Sequence, residues 1–501
     1  MLDQKESRSG FGSPGHPRNR RHRGKSLSWR GRLTLLAIVA SVALVAWLSQ
    51  SVSMFQLAPR EQTPVGASNR ELASSNSAVP GQLRAAPEPL FSRLPIGAGN
   101  AVYAYADDPS GRHSSGVAFA SAISDPFAGP RLVEVVPAPL DRPDLEGPLR
   151  IEYSLDAALT QSVFKVLRAA RVERGHVIVL DPATGRVLAY ASTDPAAFPP
   201  TRAYPAASLI KVVTAAAVLD TPAGRASKPC RYRGNPYRLS RSQVRRPSTG
   251  REVSLEVALA TSNNQCFAQF AVNDVGGLGL LDAIDRFGWL SQAGPGHDAG
   301  AVELGGDDYD LGRLGCGLAG CRITPLHAAR LAATLADGVN VEPWWVDRVV
   351  DGLGNELARP WAPAPKRVMS SERADEIRQM MVRTTTRGTA RSAFRDRRGR
   401  PLLGSIRVAG KTGNLTGTHP KGRYEWFVGL APADDPSIAI AVVQVHGHLW
   451  WKKSSEIAAK VLAEVFCEKS RCAPALASRY TGNLSSRTAP VFLSENGLSG
   501  L

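Results

Sequence analysis

Ser208 and Lys211 stand three residues apart in Ser208-Leu209-Ile210-Lys211, at the head of a run that stays apolar to Leu219. Pro205 precedes the run and no Gly or Pro interrupts it, so it reads as a helix starting near Ser208. A residue three positions on lies one turn up the same face, which sets Lys211 beside the Ser208 hydroxyl. Lys211 is the only charge on a segment that is apolar nearly all round, the pattern of a buried helix. Burial disfavours the ammonium and drives a lysine toward its neutral amine, a competent base. A hydroxyl next to such an amine is an activated nucleophile. Two further clusters follow: Ser262-Asn263-Asn264, and Lys411-Thr412-Gly413 just before a strand-like run.

Alone, a Ser-x-x-Lys pair arises often by chance. In the order Ser-x-x-Lys, Ser-x-Asn, Lys-Thr-Gly, the three form the signature of active-site serine penicillin-recognising enzymes. The chain resembles the transpeptidase domains of penicillin-binding proteins over roughly residues 150–470. His176 to Ala189, turning at Asp181-Pro182-Ala183-Thr184-Gly185, is similar to their first hairpin. Thr324-Pro325-Leu326-His327-Ala328-Ala329 resembles a helix start of the family. Arg387-Gly388-Thr389-Ala390 resembles its Gly-Thr-Ala segment, and Trp426 to Pro432 the strand behind Lys-Thr-Gly.

The resemblance implies an α/β fold of the penicillin-binding and β-lactamase type: a mixed sheet flanked by helices, an all-helical part, and a cleft between them. It implies Ser208, Lys211, Ser262 and Lys411 as catalytic residues. Ser208 attacks, Lys211 accepts the proton, Ser262 relays it, and Lys411 supplies positive charge. Asn264, Thr412, Gly413 and Asn414 are implied as substrate-binding, and the backbone N–H groups of Ser208 and Asn414 as the oxyanion hole. Asn414 departs from the Thr or Ser usual at its position, and Ala206-Ala207 from the Pro-Gly usual before the nucleophile in large transpeptidases. The expected activity is a membrane-anchored D,D-transpeptidase that acts on peptidoglycan stem peptides and is acylated by β-lactams. The alternatives are a D,D-carboxypeptidase, a serine β-lactamase, and a non-catalytic β-lactam sensor or cell-wall scaffold. No Glu-x-x-Leu-Asn follows the Ser-x-Asn motif to supply a deacylating water. No cofactor is called for, and the sequence names no protein partner.

The elements that hold these residues occupy only part of the 501-residue chain. The net charge of +17 calls for an anionic surface or ligand, yet no nucleic-acid motif accompanies it. Nine Lys or Arg fall in residues 1–32 against Asp3 and Glu6, and Leu33 to Pro59 carries no charge. At ~1.5 Å per residue that stretch is long enough to cross a bilayer. We expect a basic cytoplasmic segment at 1–32 and a transmembrane anchor at 33–58, with the N-terminus inside by the positive-inside rule. A cleaved signal peptide fits less well, because no Ala-x-Ala site follows. The expected location is the inner membrane, single-pass, with a periplasmic catalytic domain. Residues 59–148 read as a Pro/Ala-rich linker or stalk in which Arg131 to Val136 is strand-like. The transpeptidase domain is expected over 149–472 and a mobile polar tail over 473–501.

Six cysteines in an exported domain suggest disulfides, although six allow fifteen connectivities. Cys316 and Cys321 are close in sequence, as are Cys467 and Cys472, which leaves Cys230 with Cys266. There is no Cys-x-x-Cys for zinc, and His446 and His448 read as ordinary strand or loop histidines, so no metal site is expected. Arg231, Arg233, Arg238, Arg241, Arg245, Arg246 and Arg251 make a basic stretch between the first two motifs. It reads as a solvated loop, or as a contact for phospholipid headgroups or peptide carboxylates.

Overall fold

A computed structural model describes residues 131–136, 145, 147–222, 228–358, 361–446, 452–469, 471–481 and 491–493. The expected basic segment, the anchor, nearly all of the linker, and His448 lie outside the described residues. Among the described residues, no helix is long and apolar enough to cross a membrane.

The strand-like run at the domain entry forms β1 (Arg131–Val136), antiparallel to β2 (Leu149–Asp156). Asp156 caps α1 (Ala157–Ala169) by accepting from Leu159 N at 2.7 Å. The hairpin of β3 (Gly175–Leu180) and β4 (Val187–Ser192) turns where Asp181 accepts from Ala183 N and from the Thr184 hydroxyl, both at 2.9 Å. Next comes α2 (Ile210–Leu219), all ten residues buried. The helical part continues through α3 (Leu255–Ala260), α4 (Asn264–Gln269), α5 (Gly276–Arg286) and α6 (Asp308–Cys316). Thr324 caps α7 (Pro325–Thr334), with Pro at its first position, where the missing N–H costs nothing. Two more strands, β5 (Val346–Val350) and β6 (Glu356–Ala358), extend the entry sheet in the order β1-β2-β5-β6. The chain then runs through α8 (Ser371–Thr386), β7 (Ala409–Thr418), β8 (Lys421–Ala431), β9 (Ile438–His446) and α9 (Ser454–Phe466).

The central sheet is ordered β7-β8-β9-β3-β4. Every pairing in it is antiparallel, where a mixed sheet was expected. Short turns join β3 to β4, β7 to β8 and β8 to β9, and strands joined that way must reverse direction. α7 lies across β9 and β3 on one face, and α1 and α9 cover the other, so each face buries its own apolar cluster. The cleft forms where edge strand β7 meets the helical part, and α8 spans the junction by packing on both β7 and α3.

Cys230 is bonded to Cys266 and Cys467 to Cys472. The third expected bridge is absent: Cys316 and Cys321 are free and buried. Cys316 ends α6 with its thiol turned back to Arg313 O at 3.5 Å, whereas Cys321 opens the strand Cys321–Ile323 beyond left-handed Gly317 and Gly320. Part of the segment expected as a mobile tail is built into the fold. Pro474–Ala477 and Ser478–Thr481 are helical turns, and Val491–Leu493 pairs with Trp361–Pro363. Four of the basic-stretch arginines are engaged within the protein. Arg231 pairs with Glu252, Arg241 with Asp307 and Arg246 with Asp274, while Arg233 donates to Thr249.

Candidate active site

Ser208 sits on a 3-10 turn, Ala207–Leu209, that leads into α2. Ala207 just before it has φ 49°, in the left-handed region that non-glycine residues rarely enter. Contacts on both sides hold the turn there. Trp426 Nε1 on β8 donates to Pro205 O at 2.9 Å, and Ala206 N donates to Cys321 O at 3.1 Å. Gly317 packs so close that a Cβ on it would fall 2.0 Å from Ala207 O. One turn on, Lys211 is fully buried.

Four oxygens surround Lys211 Nζ: Ser208 Oγ at 2.8 Å, Asn264 Oδ1 at 2.6 Å, and Ser262 Oγ and O, both at 3.2 Å. Asn264 Oδ1 and Ser262 O can only accept. A neutral Lys211 amine gives its two hydrogens to them and turns its lone pair to the Ser208 hydroxyl. Asn264 is held in that orientation because its Nδ2 donates to Tyr237 O at 2.8 Å.

Ser262 lies in the sharp turn between α3 and α4, with φ 55°. Asn263, the middle residue of the motif, caps α4 by accepting from Cys266 N at 3.1 Å. From β7, Lys411 Nζ reaches Ser262 Oγ at 2.9 Å and Thr412 O at 2.6 Å. Ser262 Oγ therefore stands between the two amines. Burial is the main force lowering both lysines, bringing Lys211 down to about 8. Lys411 is pushed well below the ordinary lysine value by burial and by the charge of Lys211. Two ammoniums cannot share so dry a site, and the pair can pass one proton through Ser262.

Gly413 brings β7 against Ser208. A Cβ there would lie 3.3 Å from Ser208 N and 3.3 Å from Ala207 Cβ. Thr412 meets Thr389, hydroxyl to hydroxyl, at 2.5 Å. Thr389 N donates to Ala260 O at 3.1 Å, so residues 387–390 join the helical part to the sheet edge. The cleft, about 750 Å³, is lined by Ser208, Ser262, Asn264, Thr412, Gly413 and Asn414, and also by Tyr237, Thr389, Arg423, Glu425, Lys453 and Ser455. All eight residues singled out in the sequence thus come to one place. The second six were not singled out. For Thr389 a signal existed in its Gly-Thr-Ala segment, but for Glu425 and Ser455 there was none. Among the described residues no group of His, Cys, Asp or Glu is arranged to hold a metal ion.

This arrangement can activate a serine for attack on a carbonyl and protonate a leaving nitrogen. The family description "penicillin binding protein transpeptidase domain" matches residues 175–466. The peptidoglycan D,D-transpeptidase PbpA of Mycolicibacterium smegmatis is 28% identical over 325 residues, covering 55% of this chain and 62% of that protein. Stage V sporulation protein D of Bacillus subtilis is 25% identical over 298 residues, 53% of this chain and 44% of that protein. The chain thus spans under two thirds of the length of either relative. In fold it is similar to PBPA from Mycobacterium tuberculosis, with TM-score 0.51 and 22% identity over 62% of this chain and 81% of that one. It is similar likewise to PBP2 of Pseudomonas aeruginosa, with TM-score 0.52 and 23% identity over 65% and 81%.

Proposed function

The chain belongs to the penicillin-binding protein transpeptidase domain family, and we propose that it is a serine D,D-transpeptidase that cross-links peptidoglycan stem peptides. The observation that carries this reading is the position of Lys211 Nζ, 2.8 Å from Ser208 Oγ and in reach of both Ser262 and Asn264. Lys211 takes the hydroxyl proton as Ser208 Oγ bonds to the carbonyl carbon of the donor peptide. Charge on the carbonyl oxygen is met by the backbone N–H groups of Ser208 and Asn414, each such donor contributing about 10²–10³ in rate. The carbon–nitrogen bond breaks, and Ser262 passes the proton from Lys211 to the departing amine. An amine of a second stem peptide then attacks the acyl-enzyme and Ser208 leaves with a proton.

Lys411 and the Thr412 hydroxyl serve the terminal carboxylate of the donor. An arriving carboxylate draws the shared proton to Lys411 and so leaves Lys211 neutral, the form that can act as base. β-Lactams enter by the same first step and open their ring on Ser208. The uncharged stretch at 33–58 would anchor the enzyme in the inner membrane, with its N-terminus cytoplasmic and its catalytic domain periplasmic. A D,D-carboxypeptidase would use the same acyl-enzyme and pass it to water.

The test is direct. Ser208→Ala in the full-length protein should abolish covalent labelling by a fluorescent penicillin, and labelling that persists would remove Ser208 as nucleophile. With muropeptides, the wild-type protein should yield cross-linked dimers. Trimmed monomers alone would make it a carboxypeptidase.

A further inference from the structure

The loop that joins α8 to β7, residues 387–408, carries seven arginines against one acid, Asp396. That acid is spent inside the loop. Its Oδ1 accepts from Arg398 N and Arg400 N and its Oδ2 from Arg400 Nε, all at 2.9 Å, which closes a tight turn whose flanks pair at Arg395 and Pro401. Arg391, Arg397 and Arg398 are exposed, and no acidic partner for them is found among the described residues. A second turn stands beside the first. Cys467 and Cys472 face each other across a short antiparallel hairpin and are bonded, and Lys469 and Arg471 are exposed on it, again with no acidic partner among the described residues. The two turns abut: a Cβ on Gly404 would fall 3.7 Å from Cys472 Cβ, and Leu402 and Cys472 pack on the same apolar cluster. Under the first turn opens a hollow of about 120 Å³, floored by Phe394, Leu403 and Ile406 and edged by Arg395 and Arg407. Cations gathered on neighbouring turns repel one another until an anionic surface meets them.

We propose that this end of the domain docks on an anionic phospholipid surface, with Arg397, Arg398, Lys469 and Arg471 on phosphodiester oxygens and the apolar root of a headgroup at the hollow. The guanidinium fork suits phosphate, and a carbon-lined hollow among arginines favours a lipid over a wholly polar polyanion. The place in the fold agrees. β1 enters the domain at Arg131, opposite Asp156. The Asp156 carboxyl lies within electrostatic reach of Arg479, and Arg479 bonds Glu468 of the disulfide hairpin at 2.9 Å. The basic end therefore stands beside the point where the chain enters, and the inference rests on the membrane anchor proposed above. A surface tethered to its bilayer needs only weak attraction, because the partner is always near. The Cys467–Cys472 bond gains a purpose as well: it restrains the unfolded chain little but fixes the hairpin that presents Lys469 and Arg471.

The test uses full-length protein reconstituted into lipid discs, one set of phosphatidylcholine alone, the other of phosphatidylcholine and phosphatidylglycerol in equal parts. Phenylglyoxal modifies accessible guanidinium groups, and peptide mass spectrometry reads each arginine. Arg397, Arg398 and Arg471 should react about tenfold more slowly on the anionic discs, as clustered cations at such a surface imply, and high salt should restore the rate. Arg245, exposed on the loop of the helical part, is the internal reference and should react alike on both. An R397Q/R398Q/R471Q variant should lose the protection that wild-type Lys469 shows toward an amine reagent, while its melting temperature stays in place. Equal rates for Arg397, Arg398 and Arg471 on the two kinds of disc, or protection that extends equally to Arg245, would overturn this proposal and leave acyl transfer and the anchor standing. Protection by soluble polyphosphate but not by the anionic discs would also overturn it, and would assign the face to a polymeric anion. A chain that enters neither kind of disc would remove the anchor, and the docking with it.

Discussion

Lys211 and Lys411 approach the same hydroxyl, Ser262 Oγ, at 3.2 and 2.9 Å, and that shared contact governs how the site answers to pH. Lys211 is drawn down to about 8, first by burial. In the mechanism proposed above its neutral form accepts the proton, so the acylation rate should rise about tenfold per pH unit below about 8 and level off above it. Rates for one penicillin from pH 6 to 9.5 check this, and a flat profile would argue against Lys211 as the titrating base. That Lys211 abuts Ser208 was legible in the sequence, because a three-residue step at a helix start brings two side chains to one face, and the 3-10 turn that leads into α2 keeps them there. The left-handed φ of Ala207 was not legible. It is imposed by Gly317, Trp426 and Cys321, which come from parts of the chain more than a hundred residues away. Glu425 was hidden for the same reason, since a lone acid on a strand acquires meaning only when the start of α9 closes over it.

At the scale of elements, the site is a contact between an edge strand and a helix start. Gly413 sets their spacing. An added Cβ would press on Ala207 Cβ and Ser208 N at 3.3 Å and on Ala206 O at 3.4 Å, so β7 would have to give by a few tenths of an ångström. Gly413→Ala should therefore slow acylation by about tenfold through misplacement alone, while the melting temperature shifts little. Paired kinetic and thermal measurements separate the two effects. The Cys230–Cys266 bond ties the strand Cys230–Tyr232 to α4, two residues beyond Asn264. Reduction should loosen Asn264 and slow acylation before the domain unfolds. A Cys467→Ser/Cys472→Ser variant should behave nearly as wild type, because that bridge closes a separation of only 5 residues against 36 and restrains the unfolded chain less. Unchanged acylation by fully reduced, still-folded protein would sink the idea. Proximity in sequence misled for Cys316 and Cys321, since five residues that include a helix end and two left-handed glycines need not bring two thiols face to face.

At the scale of the whole fold, three histidines among the described residues are stored neutral. Burial holds His176 near 3, His297 near 4 and His327 near 3. The unfolded chain takes up these protons near 6.5, so it binds more protons than the folded state below that pH. Their stabilisation is complete above about 6.5 and is lost as pH falls toward 3, by about 1.4 kcal/mol per pH unit for each group. Burial raises Asp156 and Asp181, which work in the opposite sense. His176 isolates the effect. Both its ring nitrogens are buried without a partner among the described residues, and its ring stacks on Phe198 with centroids 4.2 Å apart. His176→Phe should raise stability at pH 7 by about 1–2 kcal/mol, the cost of an unsatisfied buried polar group, and flatten the slope of urea midpoints between pH 7 and 5. An unaltered slope would mean that His176 finds a proton partner in the folded state. The neighbourhood of Lys211 reaches this scale too, because three of its four oxygens come from residues 51 and 53 positions away in the chain and Ser262 is then met by Lys411 from 149 residues away. That meeting needs the native fold, so under the acyl transfer proposed above a covalent penicillin tag would be a census of native molecules, one mark per correctly folded chain, to be read in an extract during heating or refolding.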